Sequence, residues 1–156
     1  MLTRRSFLVF STTALAGCTT VQTSNLQANG LKQYKRVYIE PLQDDEFQVV
    51  TALSIELSDM GFELSGEPFS NPADTDLNVK ITAIGGWDMS RYLQSVQFQF
   101  TASKSARIVT VSSFYSKGVW LGIRDARLKA IFNDLRQKNG YPPSRQFSLV
   151  RHENAA

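Results

Sequence analysis

An α+β two-layer sandwich is the fold class this sequence predicts: two helices on one face of a mainly antiparallel sheet of about five strands. Three observations carry that prediction. Ser95-Val96-Gln97-Phe98-Gln99-Phe100-Thr101 alternates strictly, turning Val96, Phe98 and Phe100 one way and polar groups the other, as a sheet with one wet face requires. Val50, Leu53, Leu57 and Met60 recur at helical spacing, and so do Leu128, Ile131, Phe132 and Leu135, so each set makes an apolar helical stripe. Short β-branched runs bounded by Gly and Pro fill the space between, which sets the order β-α-β-β-β-β-α.

The first seventeen residues stand apart. Arg4 and Arg5 precede the apolar Phe7-Leu8-Val9-Phe10, and small residues follow, which is the plan of a secretory signal. The apolar run is too short to cross a hydrocarbon core of roughly 30 Å as a permanent helix. Residues 18–33 are rich in Thr, Gln, Asn and Ser and read as a flexible tether with a span of about 20 Å.

Arg36-Val37-Tyr38-Ile39-Glu40 is the first strand, stopped by Pro41. Asp44, Asp45 and Glu46 open the first helix, where acids suit the positive end of the dipole and Asp44 can cap. Gly61 ends it. Phe62-Glu63-Leu64 is a short strand, and Gly66, Pro68, Asn71 and Pro72 mark a loop. Leu77, Val79 and Ile81 line one face of a longer strand, broken or bulged at Gly85-Gly86. Residues 92–115 form a hairpin turning at Ser103-Lys104-Ser105. The second helix covers Arg124 to Lys138, and Gly140 with Pro142-Pro143 ends it. Division of the chain is thus 1–17 signal, 18–33 tether, 34–139 folded domain and 140–156 loose tail.

Leu15-Ala16-Gly17-Cys18 resembles the lipobox of bacterial lipoproteins. That resemblance implies acylation of Cys18 and cleavage before it. Thr3-Arg4-Arg5-Ser6-Phe7-Leu8 resembles the twin-arginine export motif, and a general secretory signal stands open beside it. Thr19 occupies the position where aspartate would retain a lipoprotein in the inner membrane, so the resemblance favours the periplasmic face of the outer membrane. With the Val37-Tyr38-Ile39-Glu40-Pro41 strand, the Trp87-Asp88-Met89…Tyr92 segment and Gly118, the chain resembles small lipoproteins of the proteobacterial envelope. The resemblance implies a related fold and an envelope address, and transfers no catalytic residue.

Charge and chemistry narrow the function. The chain carries +3 at neutral pH; loss of residues 1–17 removes Arg4 and Arg5 from its 17 basic side chains and none of its 14 acids, leaving +1. A near-neutral chain gives no electrostatic basis for nucleic-acid binding. The only histidine, His152, lies in a polar tail, and the only cysteine is Cys18, so neither a Ser-His pair nor a thiol nucleophile can be built. Asp74, Asp76 and Asp88 are the acids that could meet across a sheet, although acids beside turns are ordinarily solvated or capping. No metal site, cofactor or phosphate loop is expected.

Trp87 and Trp120, with Asp88 and Tyr92, are the candidate partner contacts, since aromatics at strand ends anchor interfaces; capping of the helix–sheet core is the competing role. Lys104, Arg107, Lys117, Arg124 and Arg127 bias the C-terminal half towards basic. The expected function is a non-enzymatic, membrane-anchored periplasmic binding or adaptor domain, accessory to an envelope assembly or transport system. The alternatives are a lipid or small-ligand binder, with a pocket between sheet and helices, and an envelope hydrolase.

Overall fold

The computed structural model describes residues 19–66, 73–88, 90–116 and 124–145. Six strands form one sheet: β1 (Thr19–Asn25), β2 (Arg36–Ile39), β3 (Glu63–Ser65), β4 (Leu77–Asp88), β5 (Ser90–Ala102) and β6 (Ile108–Ser116). Their spatial order is β1-β6-β5-β4-β2-β3. Two helices, α1 (Val49–Asp59) and α2 (Arg124–Lys138), complete the α+β sandwich.

The β2-α1-β3 unit is a crossover, with α1 joining two parallel neighbours in the sheet. β2 runs parallel to β3, and also to β4, while β4, β5, β6 and β1 pair antiparallel in turn. Between Ile84 and Gly85 the register of β4 against β5 shifts by one residue, because Gln94 of β5 is left without a partner on β4, and β4 continues to Asp88. The hairpin expected at residues 92–115 is therefore one of two, because β5 is also joined to β4.

The tether expected at residues 18–33 is ordered wherever it is described. Thr19–Asn25 pairs with β6 along its whole length, from Thr19 against Ser116 to Asn25 against Thr110. Gly30–Gln33 is a turn of 3-10 helix with Leu31 fully buried. Polarity suggested a linker, but Thr19, Thr20, Val21 and Thr23 are β-branched and alternate correctly for a strand. Their inward hydroxyls find partners: Thr23 and Ser112 share a buried hydrogen bond of 2.8 Å between their hydroxyls. Asn25 accepts from Thr110 Oγ1 at 2.9 Å and donates to the Lys138 carbonyl.

The start of α1 also differs from expectation. Asp44 is not the cap; the Asp45 carboxylate accepts the backbone N–H of Val49 at 2.6 Å and of Val50 at 3.1 Å. The helix begins at Val49 because Gln48 adopts a left-handed conformation, φ 52°. It stops where Gly61 turns to φ 90°, a conformation that favours glycine.

The core lies between the helices and one face of the sheet. Val79, Ile81, Val96, Phe98, Phe100 and Phe114 meet Leu53 and Leu57 of α1 and Leu128, Ile131, Phe132 and Leu135 of α2 in one buried cluster. Phe98 stacks on Phe132 with centroids 5.7 Å apart. The first part of the expected loose tail is tied down: Ser144 N–H donates to Asn133 Oδ1, and the Pro142 carbonyl accepts from Arg136.

Candidate docking surface

β1 is a sheet edge of seven residues without one charged side chain. Its inner hydroxyls hold it to β6, and α2 packs against it, but among the described residues no strand lies beside its outward backbone groups. Sheet edges are ordinarily guarded by charge, proline or shortness. The opposite edge, β3, is only three residues long and carries Glu63; β1 has none of these protections.

The second exposed feature is the tip of the β4–β5 hairpin, where Trp87 pairs across the strands with Arg91 and Gly86 with Tyr92. Trp87 is 70% exposed, so it does not cap the core. Gly86 is required by close approach: a Cβ there would lie 2.3 Å from the Tyr92 ring. Tyr92 in turn stacks on the Arg127 guanidinium, 5.1 Å from its centroid, and Phe114 lies 5.8 Å away. Arg127 also donates to the Leu93 carbonyl, and its burial lowers its pKa. A residue assigned from sequence to the basic surface is thus a buried strut at 3% exposure. Its apolar surroundings on α2, Leu128 and Ile131, were the available signal.

Glu46 accepts both Nε and Nη2 of Arg91, with Nε 3.0 Å from Oε1. The hydrogen bonds from Arg91 hold the Glu46 carboxyl below its ordinary range. Of the three acids before α1, one therefore caps a helix and one braces the hairpin. Among the described residues no three His, Cys, Asp or Glu side chains converge on a metal position. Asp76 accepts the backbone N–H groups of Lys35 and Arg36, each at 2.9 Å.

Two open clefts lie at the far end of the sheet from the hairpin. One, of about 470 Å³, is bordered by Asn25, Gly30, Lys32, Lys138 and Asn139; the other, of about 600 Å³, by Asn133, Gln137, Tyr141 and Pro142. Both are surface features outside the sheet–helix layer, where the ligand-binding alternative needs its pocket. Arg4, Arg5, Leu15, Ala16, Gly17, Cys18 and Trp120 lie outside the described residues, as does the side chain of Asp88.

Comparison with solved structures bears on the fold. The PelC dodecamer from Paraburkholderia phytofirmans superposes with a TM-score of 0.51 at 11% identity, over 76% of this chain and 95% of that one. The fold is similar to that of PelC. A single-residue variant of the same PelC dodecamer gives a TM-score of 0.50 at 10% identity, with the same coverage. At this identity the likeness concerns the fold alone. No protein-family model matches the sequence, and no curated protein matches it. Among the described residues no helix is long and apolar enough to cross a membrane.

Proposed function

We propose that this chain is a lipid-anchored domain of the bacterial envelope that works by docking another envelope protein rather than by catalysis. The lipobox-like Leu15-Ala16-Gly17-Cys18 supports the anchor. The observation that carries the docking role is the seven-residue uncharged edge of β1, beginning one residue after Cys18. An open edge offers main-chain hydrogen bonds to an added strand, and alternate side chains provide selectivity. Anchoring concentrates the edge in the layer next to the membrane, so a weak contact suffices.

A second reading, that the docked partner is another copy of the chain, is favoured by the similarity of fold to PelC, which was solved as a dodecamer. Contact of β1 on one copy with β3 on the next would be head-to-tail, the kind that closes into rings, whereas β1 against β1 would be a two-fold pair.

A photo-crosslinker at Gln22, exposed on β1, tests both readings in intact membranes. The expected result is an adduct of discrete mass in the native protein that disappears in Cys18→Ser. An adduct at a multiple of the chain mass would identify the partner as self. If Gln22 yields none while the protein still sediments with membranes, the edge is not a docking site and the ligand-binding alternative takes its place.

A further inference from the structure

The strand register places Thr19, the residue that follows Cys18 in the chain, and the β4–β5 hairpin at the same end of the sheet. Thr20 pairs with Tyr115, Tyr115 with Ser95, and Ser95 with Ile84, so these four residues form one row across the sheet. Beyond that row β4 runs on through Gly85, Gly86, Trp87 and Asp88, which at 3.3 Å per residue carries the hairpin about 13 Å further. β1 enters from the same side, and its first residue, Thr19, stands one residue past the row, about 3 Å.

The row and the tip expose large apolar side chains beside the polar Thr20, Ser90 and Arg91. Trp87 is 70% exposed, Ile84 54% and Tyr115 40%. The cation at the tip, Arg91, is already matched by Glu46, so this end does not depend on anionic partners. Tryptophan and tyrosine favour the boundary between headgroups and acyl chains, where the ring is buried and the polar atom stays wet.

We propose that the β4–β5 hairpin is a second membrane contact, with Trp87 entering the lipid interface beside the acyl chains of Cys18. The proposal rests on the reading of Cys18 as the anchor. Because β1 is paired from Thr19 onward, no slack separates the anchor from the sheet. With acyl chains in the bilayer, the sheet end is held against the surface, and the hairpin projects beyond the first residue of β1. The contact adds little to the affinity that several acyl chains supply. Its effect is orientation: the strands stand steeply on the membrane and the β1 edge faces sideways, available to neighbours in the same plane.

Trp87 can report on itself. The chain has two tryptophans, and Trp120→Phe leaves Trp87 as the single emitter. The acylated protein is reconstituted into phosphatidylethanolamine–phosphatidylglycerol vesicles, with and without brominated acyl chains. The expected result is a blue-shifted emission, quenched roughly twofold or more by the brominated lipid and unchanged by high salt, whereas Cys18→Ser in solution is quenched by aqueous iodide. Emission that stays iodide-accessible in the membrane-bound protein overturns the proposal.

The mass of the Cys18 peptide reports acylation separately. If Cys18 carries no lipid, the anchoring reading fails. The hairpin is then tested on a chain beginning at Cys18 and coupled through that single thiol to maleimide-bearing lipid. Bromolipid quenching there supports the membrane contact, and its absence overturns it.

Discussion

Arg136 on α2 is 1% exposed and donates from Nε to Glu56 on α1, which is 0% exposed. The pair joins the two helices behind the sheet, and its remaining bonds are satisfied locally. Arg136 also donates to Asp59 and to the Pro142 carbonyl, and Ser144 Oγ donates to Glu56 Oε2 at 2.7 Å. One buried cation thus fixes α1, α2 and the segment after Gly140 to each other.

Breaking this pair from one side is expected to be costly. Arg136→Met leaves Glu56 buried without a matched charge, a loss of about 3–5 kcal/mol, read as a fall in the urea midpoint at unchanged m-value; Glu56→Gln is expected to cost less, because Asp59 still faces Arg136. Arg136→Met combined with Glu56→Leu is expected to recover part of that loss, because neither charge then remains to be desolvated. Single variants that unfold at the wild-type midpoint would mean that the cluster does not hold the helices.

Asp76 gives the fold a dependence on acid. Its partial burial acts to raise its pKa, but the N–H donors of Arg36 and Lys35, with the charges of Arg36 and Lys104, outweigh that and hold it below its ordinary value. A carboxylate depressed on folding contributes stability above its unfolded pKa of about 3.9, and the contribution is lost as pH falls through the lower folded value. Stability is therefore expected to decline below about pH 4, more steeply in the wild type than in Asp76→Asn. Parallel pH curves for the two proteins would refute the assignment.

Strand β1 makes a distinct prediction for hydrogen exchange. A flexible linker exchanges its amides at once, whereas amides bonded to β6 exchange only when the sheet opens. Slow exchange is expected within residues 19–25 in both the native protein and Cys18→Ser, because the pairing with β6 does not involve the anchor. Fast exchange throughout that segment would restore the tether and remove the rigid link between Cys18 and the hairpin.

Much of the architecture was legible along the chain. The alternation at Val96, Phe98 and Phe100 placed a strand with one buried face, and the stripe from Leu128 to Leu135 placed α2; all seven of these residues are buried. Such positions are readable because apolar burial dominates and its period follows directly from backbone geometry. Among the partner candidates, Trp87 and Tyr92 both lie on the β4–β5 hairpin, but Trp87 is exposed opposite Arg91 while Tyr92 packs on Arg127, and Trp120 lies outside the described residues.

Other features were hidden for an equally physical reason. β1 is held through Thr23–Ser112 and Asn25–Thr110 hydrogen bonds, and polar residues reveal nothing of a strand until the partner strand is known. Arg127 and Arg136 looked like surface charge because the carbonyl, ring and carboxylates that receive them lie 34, 35, 77 and 80 residues away. The linear chain carries the apolar periods and a candidate anchor at Cys18. The fold adds what depends on distant pairing: which polar groups are buried together, which edge is open, and that Trp87 shares an end of the sheet with the residue after that anchor.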